Sequence, residues 1–126
     1  MSLKKYVEVE FGGKTKLLRF DYNSVSDLEA FYGKGISAIL TEEQLGFNSL
    51  RTFYTFGLRW KEPGLTPQRM GNLLGEAIED GETFESLLKP IMKALNLSKL
   101  LGEEVEIPED EEQQEDKPAK KKNSKN

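Results

Sequence analysis

The chain has 126 residues, with 18 Lys and Arg against 22 Asp and Glu and a formal net charge of −4. That length fits one domain large enough to bury its own core without a metal or disulfide staple. Cysteine and histidine are both absent, which excludes disulfides and thiolate metal sites and removes the commonest general base and metal ligand.

The first residues run into a charged, alternating stretch with no apolar leader. No segment approaches the roughly 18 consecutive apolar residues of a membrane span. A soluble protein kept in the cytosol, with no membrane partner, is the expectation.

Tyr6 to Phe11 alternates with period two, Gly12-Gly13 follows, and Lys14 to Phe20 alternates again. Two glycines between such runs suit a primed turn, where both central residues take positive φ. The turn sets a register: Phe11 opposite Lys14, Val9 opposite Lys16, Val7 opposite Leu18. One face then carries Val7, Val9, Phe11, Leu18 and Phe20. A lone hairpin is marginal and needs helices to cover it.

Ser24 followed by Asp27 reads as the start of a first helix, with serine as the cap. Val25, Leu28, Ala30, Phe31 and Tyr32 supply its apolar side, and Gly33 ends it. Ile36 to Leu40 form a short apolar turn or helix. A third helix spans about Ser49 to Trp60 with Asn48 as the cap. It is apolar nearly all round, the mark of a central helix. Glu62-Pro63-Gly64 breaks the chain, and Thr66-Pro67 restarts it with a capping threonine and proline at the first helical position. Met70, Leu73, Leu74, Ala77 and Ile78 line the fourth helix, closed by Gly81. The fifth carries Phe84, Leu87, Leu88, Ile91, Met92 and Leu95 at three- and four-residue steps. Pro90 lies within it and predicts a kink, or a restart at Lys89.

Residues 103 to 116 hold nine acids and no base, and residues 117 to 126 hold five lysines and no acid. The rest of the chain is neutral. Such a segment buries too little apolar surface to offset its ordering entropy. The expected organisation is therefore one α+β domain over residues 1–101, an N-terminal β-hairpin packed on a bundle of four to five short helices. A disordered, charged C-terminal tail follows over residues 102–126.

Gly33-Lys34-Gly35 lacks the spacing and the Ser/Thr of a phosphate loop and reads as helix termination. The acid pairs Glu42-Glu43 and Glu79-Asp80 sit at helix ends, where solvated surface is the ordinary state. With no convincing catalytic constellation, no cofactor and no metal site are expected, and the chain reads as a binding protein rather than an enzyme. Five lysines beside nine acids, without arginine or aromatic residues, argue against nucleic acid as a partner. Two readings of Phe53, Tyr54, Phe56 and Trp60 stand. They pack the core against the hairpin, or Tyr54 and Trp60 border a partner groove. The stripe on the fifth helix divides in the same way between core and exposed binding surface.

The Gly12-Gly13 hairpin, Phe20-Asp21-Tyr22-Asn23-Ser24, the run Leu28 to Ile36, Gly57-Leu58-Arg59-Trp60 and Leu65-Thr66-Pro67 come in a characteristic order. Over about residues 4 to 97 this series resembles the tail assembly chaperones of long-tailed bacteriophages and prophages, including relatives in gene transfer agents. The resemblance implies a protein of the host bacterial cytoplasm, absent from the mature virion. It would bind the long, apolar tape measure protein, keep it soluble and help recruit tail tube protein, with self-association along the client. Phe53, Tyr54, Trp60, Leu88, Met92 and Leu95 are the candidate partner-binding residues. Pro90 and the acidic-then-basic tail depart from the family pattern. The competing reading is a structural tail or connector component retained in the virion.

Overall fold

The structure is a computed structural model that describes residues 5 to 102. The expected tail beyond Gly102 lies outside the described residues. An antiparallel hairpin of β1 (Val7–Phe11) and β2 (Lys14–Leu18) is followed by α1 (Tyr22–Tyr32), α2 (Ile36–Glu42), α3 (Phe47–Leu58), α4 (Pro67–Glu79) and α5 (Phe84–Ser98). The α+β class and the hairpin-plus-five-helix order agree with the sequence reading.

The hairpin takes the expected register, Val7 opposite Leu18, Val9 opposite Lys16 and Phe11 opposite Lys14. Gly12 and Gly13 both have positive φ, 62° and 75°, as a primed two-residue turn demands. Val9, Phe11, Leu18 and Phe20 face inward and are buried. Val7, near the open end, is only half-buried.

The start of α1 corrects one expectation. Asp21, not Ser24, is the cap. Its Oδ1 accepts from the Ser24 N–H at 2.9 Å, while Ser24 Oγ accepts from the Asp21 N–H at 2.8 Å. The two residues form a reciprocal capping box, so the helix begins three residues earlier than a serine cap would place it. Ala30 and Phe31, assigned to the apolar side, are exposed, and Val25 and Leu28 do the packing. Gly33 ends the helix at φ 75°. Glu29 then reaches across to accept from the Ile36 N–H at 2.7 Å, satisfying an orphan donor where α2 begins. Lys34 bridges to Glu43 at 2.8 Å and Glu42 at 3.6 Å, and its pKa rises chiefly through the Glu43 hydrogen bond. The Gly-Lys-Gly run is a helix junction.

α3 begins after Gly46 rather than after Asn48, and Ser49 Oγ accepts from the Gly46 N–H at 3.2 Å. It packs against β2, α1, α4 and α5, the central position its apolar surface calls for. Thr66 caps α4 from the Arg69 N–H, with Pro67 at the first turn. Thr83 and Ser86 box the start of α5. α5 runs unbroken through Pro90, with no restart at Lys89. Its missing N–H leaves the Ser86 carbonyl without its ordinary helical donor. Ser86 and Pro90 are both half-buried.

No helix among the described residues is long and apolar enough to cross a membrane.

Candidate partner-binding surface

Four of the six candidate binding residues belong to the core. Phe53, Tyr54, Met92 and Leu95 are all buried. Phe53 meets Phe20 edge-on with ring centroids 6.1 Å apart, and Tyr54 meets Phe11 at 5.1 Å. The Tyr54 hydroxyl donates to the Leu87 carbonyl at 2.6 Å, which ties α3 to α5 and satisfies the one polar atom the ring carries inward. Burial, and secondarily the charge of Glu82, push the Tyr54 phenol above the ordinary tyrosine range. These four side chains stabilise the domain and present no surface to a partner. Their periodicity is that of a packed helix face, which a binding stripe would share.

Trp60 and Leu88 remain half-buried. The Trp60 Nε1 donates to the Leu17 carbonyl at 2.9 Å. Its ring carries Arg19 at 5.0 Å and Lys61 at 5.2 Å from the centroid, cation–π contacts that cover much of the indole. Trp60 is thereby a fastener between the end of α3 and the outer edge of β2. Leu88 borders a void between α5 and the α2–α3 corner, which Phe53, Phe84 and Met92 also line. At about 10 Å³ it is room for a single water at most.

The larger concavity lies elsewhere, between the first half of α3 and the outer side of α4. Phe47, Asn48, Arg51, Gly71, Leu74, Gly75 and Ile78 line an open groove of about 410 Å³. Phe47 is 61% exposed and Ile78 38%, so the groove has apolar walls facing water. Phe47 also meets Phe84 edge-on at 5.6 Å, which extends the apolar strip toward α5. Its floor is low because α4 carries glycine at two positions one turn apart.

Those two glycines differ in what they touch. A Cβ on Gly71 would come within 3.3 Å of Arg51 Cδ, whereas a Cβ on Gly75 would meet nothing within 4 Å. Glycine inside a helix costs about 1 kcal/mol relative to alanine, and no neighbour among the described residues requires it at Gly75. The sequence signal that could have located this groove was present: glycines at i and i+4, flanked by Ile78, on an otherwise amphipathic helix.

Among the described residues no cluster of His, Cys, Asp or Glu is arranged to hold a metal ion. What the groove offers is shape and apolar contact, which suits a helix laid into it. No family model, no curated protein and no solved structure matches the chain.

Proposed function

We propose that this protein is a tail assembly chaperone that holds an apolar, helical tape measure protein in solution, in the host bacterial cytoplasm, until the tail tube forms around it. The observation that carries this reading is the α3–α4 groove, with exposed Phe47 and Ile78 above a glycine floor. A solvated apolar groove of this form takes up an amphipathic helix by burying its i, i+3, i+4 stripe. The sequence resemblance supplies the class of client.

The residues that carry the resemblance have structural duties. Gly12-Gly13 form the turn, Asp21 and Ser24 the first cap, Gly33 the helix stop, and Thr66-Pro67 the start of α4. They support a shared scaffold rather than a shared binding site. The client therefore has to be tested directly.

Co-expression with the tape measure protein of the same tail, followed by pull-down and a solubility assay, is the test. A soluble, stoichiometric complex is expected, with this chain absent from purified particles. An insoluble, unbound client together with recovery of the chain from virions would establish instead the structural tail or connector role.

A further inference from the structure

The C-terminal end of α3 gathers cations around aromatic rings without giving them counter-ions. Arg19 and Lys61 lie 5.0 and 5.2 Å from the Trp60 ring centroid, and Arg59 lies 5.3 Å from that of Phe56. Phe56 in turn meets Phe31 edge-on at 6.2 Å, and Phe31 is 59% exposed. None of the three cations joins an ion pair among the described residues. Asp21 and Glu62, the nearest acids in sequence, are held by the Ser24 N–H and by Lys16. Glu8, across the hairpin from Leu17, pairs with none of them. Capping the helix does not use the three charges either. The Gly57 carbonyl takes the Arg19 backbone N–H, and the Leu58 carbonyl takes those of Lys61 and Glu62. Arg59 Nε donates to the uncharged Leu65 carbonyl at 3.0 Å. Two like charges on one ring repel each other, and an anion beside them relieves both.

We propose that the chain's own acidic segment, residues 103–116, docks on this surface, its carboxylates on Arg19, Arg59 and Lys61 and its Val105 and Ile107 against Phe31 and Phe56. This goes beyond the client-binding reading and does not depend on it. The match is double. The segment holds nine acids and no base, and Val105 and Ile107 stand among the first of those acids. The surface offers the counterparts of both, unpaired cations and aromatic rings. Length does not choose the face. A run of this size spans about 45 Å at full stretch, whereas a domain of about 100 residues has a radius of gyration near 13 Å. Charge makes the choice, because the chain outside the two charged runs is neutral and its cations draw acids only where they lack partners. A site on the same chain is met at an effective concentration on the order of 1 mM, so pairs that are individually weak add up to occupancy.

The absence of cysteine makes the test direct. Gln113→Cys in the full chain carries a nitroxide label, and NMR reads the indole N–H of Trp60, the chain's one tryptophan. At low salt, where exposed charges are least screened, the label should reduce that signal at least threefold relative to its reduced, diamagnetic form. The loss should vanish at about 1 M salt, where the screening length falls to about 3 Å. It should vanish also in Arg19→Gln with Lys61→Gln, and in a full chain whose nine segment acids are changed to glutamine and asparagine. The last variant leaves the described fold untouched, so it carries the test even if the first destabilises the hairpin. Val105→Ser with Ile107→Ser should reduce the loss without abolishing it.

No loss at Trp60 would overturn the docking and leave the acids to water or to the lysines that follow them. A loss that survives high salt or the neutralised segment would overturn its electrostatic basis. Equal losses at Arg69 and Lys93 would mean that the acids favour no face of the domain, and the site would fall. A second sample mixes labelled chain with unlabelled, isotope-enriched chain, so that only contacts between copies are seen. The full loss in that mixture would place the segment on a second copy and overturn docking within the chain.

Discussion

The two ends of α3 are treated in opposite ways. At its C-terminal end the helix is fastened to the hairpin. The Arg19 N–H donates to the Gly57 carbonyl at 2.9 Å, Trp60 donates to Leu17, and Lys16 pairs with Glu62 at 2.6 Å. The Lys61 and Glu62 N–H groups both turn to Leu58, so Gly57 has one of the orphan carbonyls every helix terminus must place. At the N-terminal end the neighbouring helix stands off, Phe47 faces solvent, and a groove opens. Glycine appears at both ends for different reasons. A Cβ on Gly57 would lie 2.5 Å from Leu18 Cδ1 and 2.9 Å from Phe20 Cζ, an approach only glycine permits. At Gly75 the space is empty. The first glycine serves the chain's own packing, and the second leaves a surface unfilled.

The largest effect should come from the closed side. Tyr54→Ala removes the ring that meets Phe11 and the hydroxyl that ties α3 to α5. Loss of a large buried aromatic of this kind costs roughly 3–5 kcal/mol, enough to unfold much of a marginal domain. Urea denaturation should show the midpoint falling accordingly. A loss below about 1 kcal/mol would mean that Tyr54 is not a core residue, and would return it to the partner surface.

Gly57→Ala comes next. Its methyl must displace Leu18 or Phe20, and overpacking of this type costs about 1–3 kcal/mol. The intrinsic helix preference of alanine returns about 1 kcal/mol. The net expectation is a destabilisation of up to about 2 kcal/mol, measured by urea midpoint. A stabilised variant would show that the hairpin can move off α3 at little cost, and the contrast between the two ends would be lost.

Local chemistry explains which parts of this arrangement were legible in the sequence. Gly12-Gly13 admits one turn family, so the strand register followed from it, and Thr66-Pro67 admits one kind of helix start. Asp21 and Ser24 are each good caps and three residues apart, so composition alone could not say which was the cap and which the N3 partner. Pro90 removes a hydrogen bond but does not outweigh the packing of Leu87, Ile91, Met92 and Leu95, and α5 continues through it. The candidate site was the least legible. An apolar side chain on a periodic helix reads the same whether another element covers it or not. Phe53 and Tyr54 are covered by the hairpin and α5, whereas Ile78, counted with the core face of α4, stands at the groove's edge. Only the relative placement of α3 and α4 distinguishes them.

Gly75→Ala should give the smallest effect, and its sign makes it the sharpest comparison with Gly57. The same substitution, glycine to alanine inside a helix, is made where the new methyl meets nothing within 4 Å. Alanine removes backbone freedom from the unfolded chain and fits the helix without strain. The expected gain is about 0.5–1 kcal/mol, seen as a rise of roughly 2–5 °C in Tm for a domain of this size. Opposite signs at the two positions would mean that Gly57 is held by the fold's own packing and that Gly75 answers to something outside it. Loss of stability in both would mean that α4 relies on Gly75 for its own packing, and the groove floor would then be a structural accommodation.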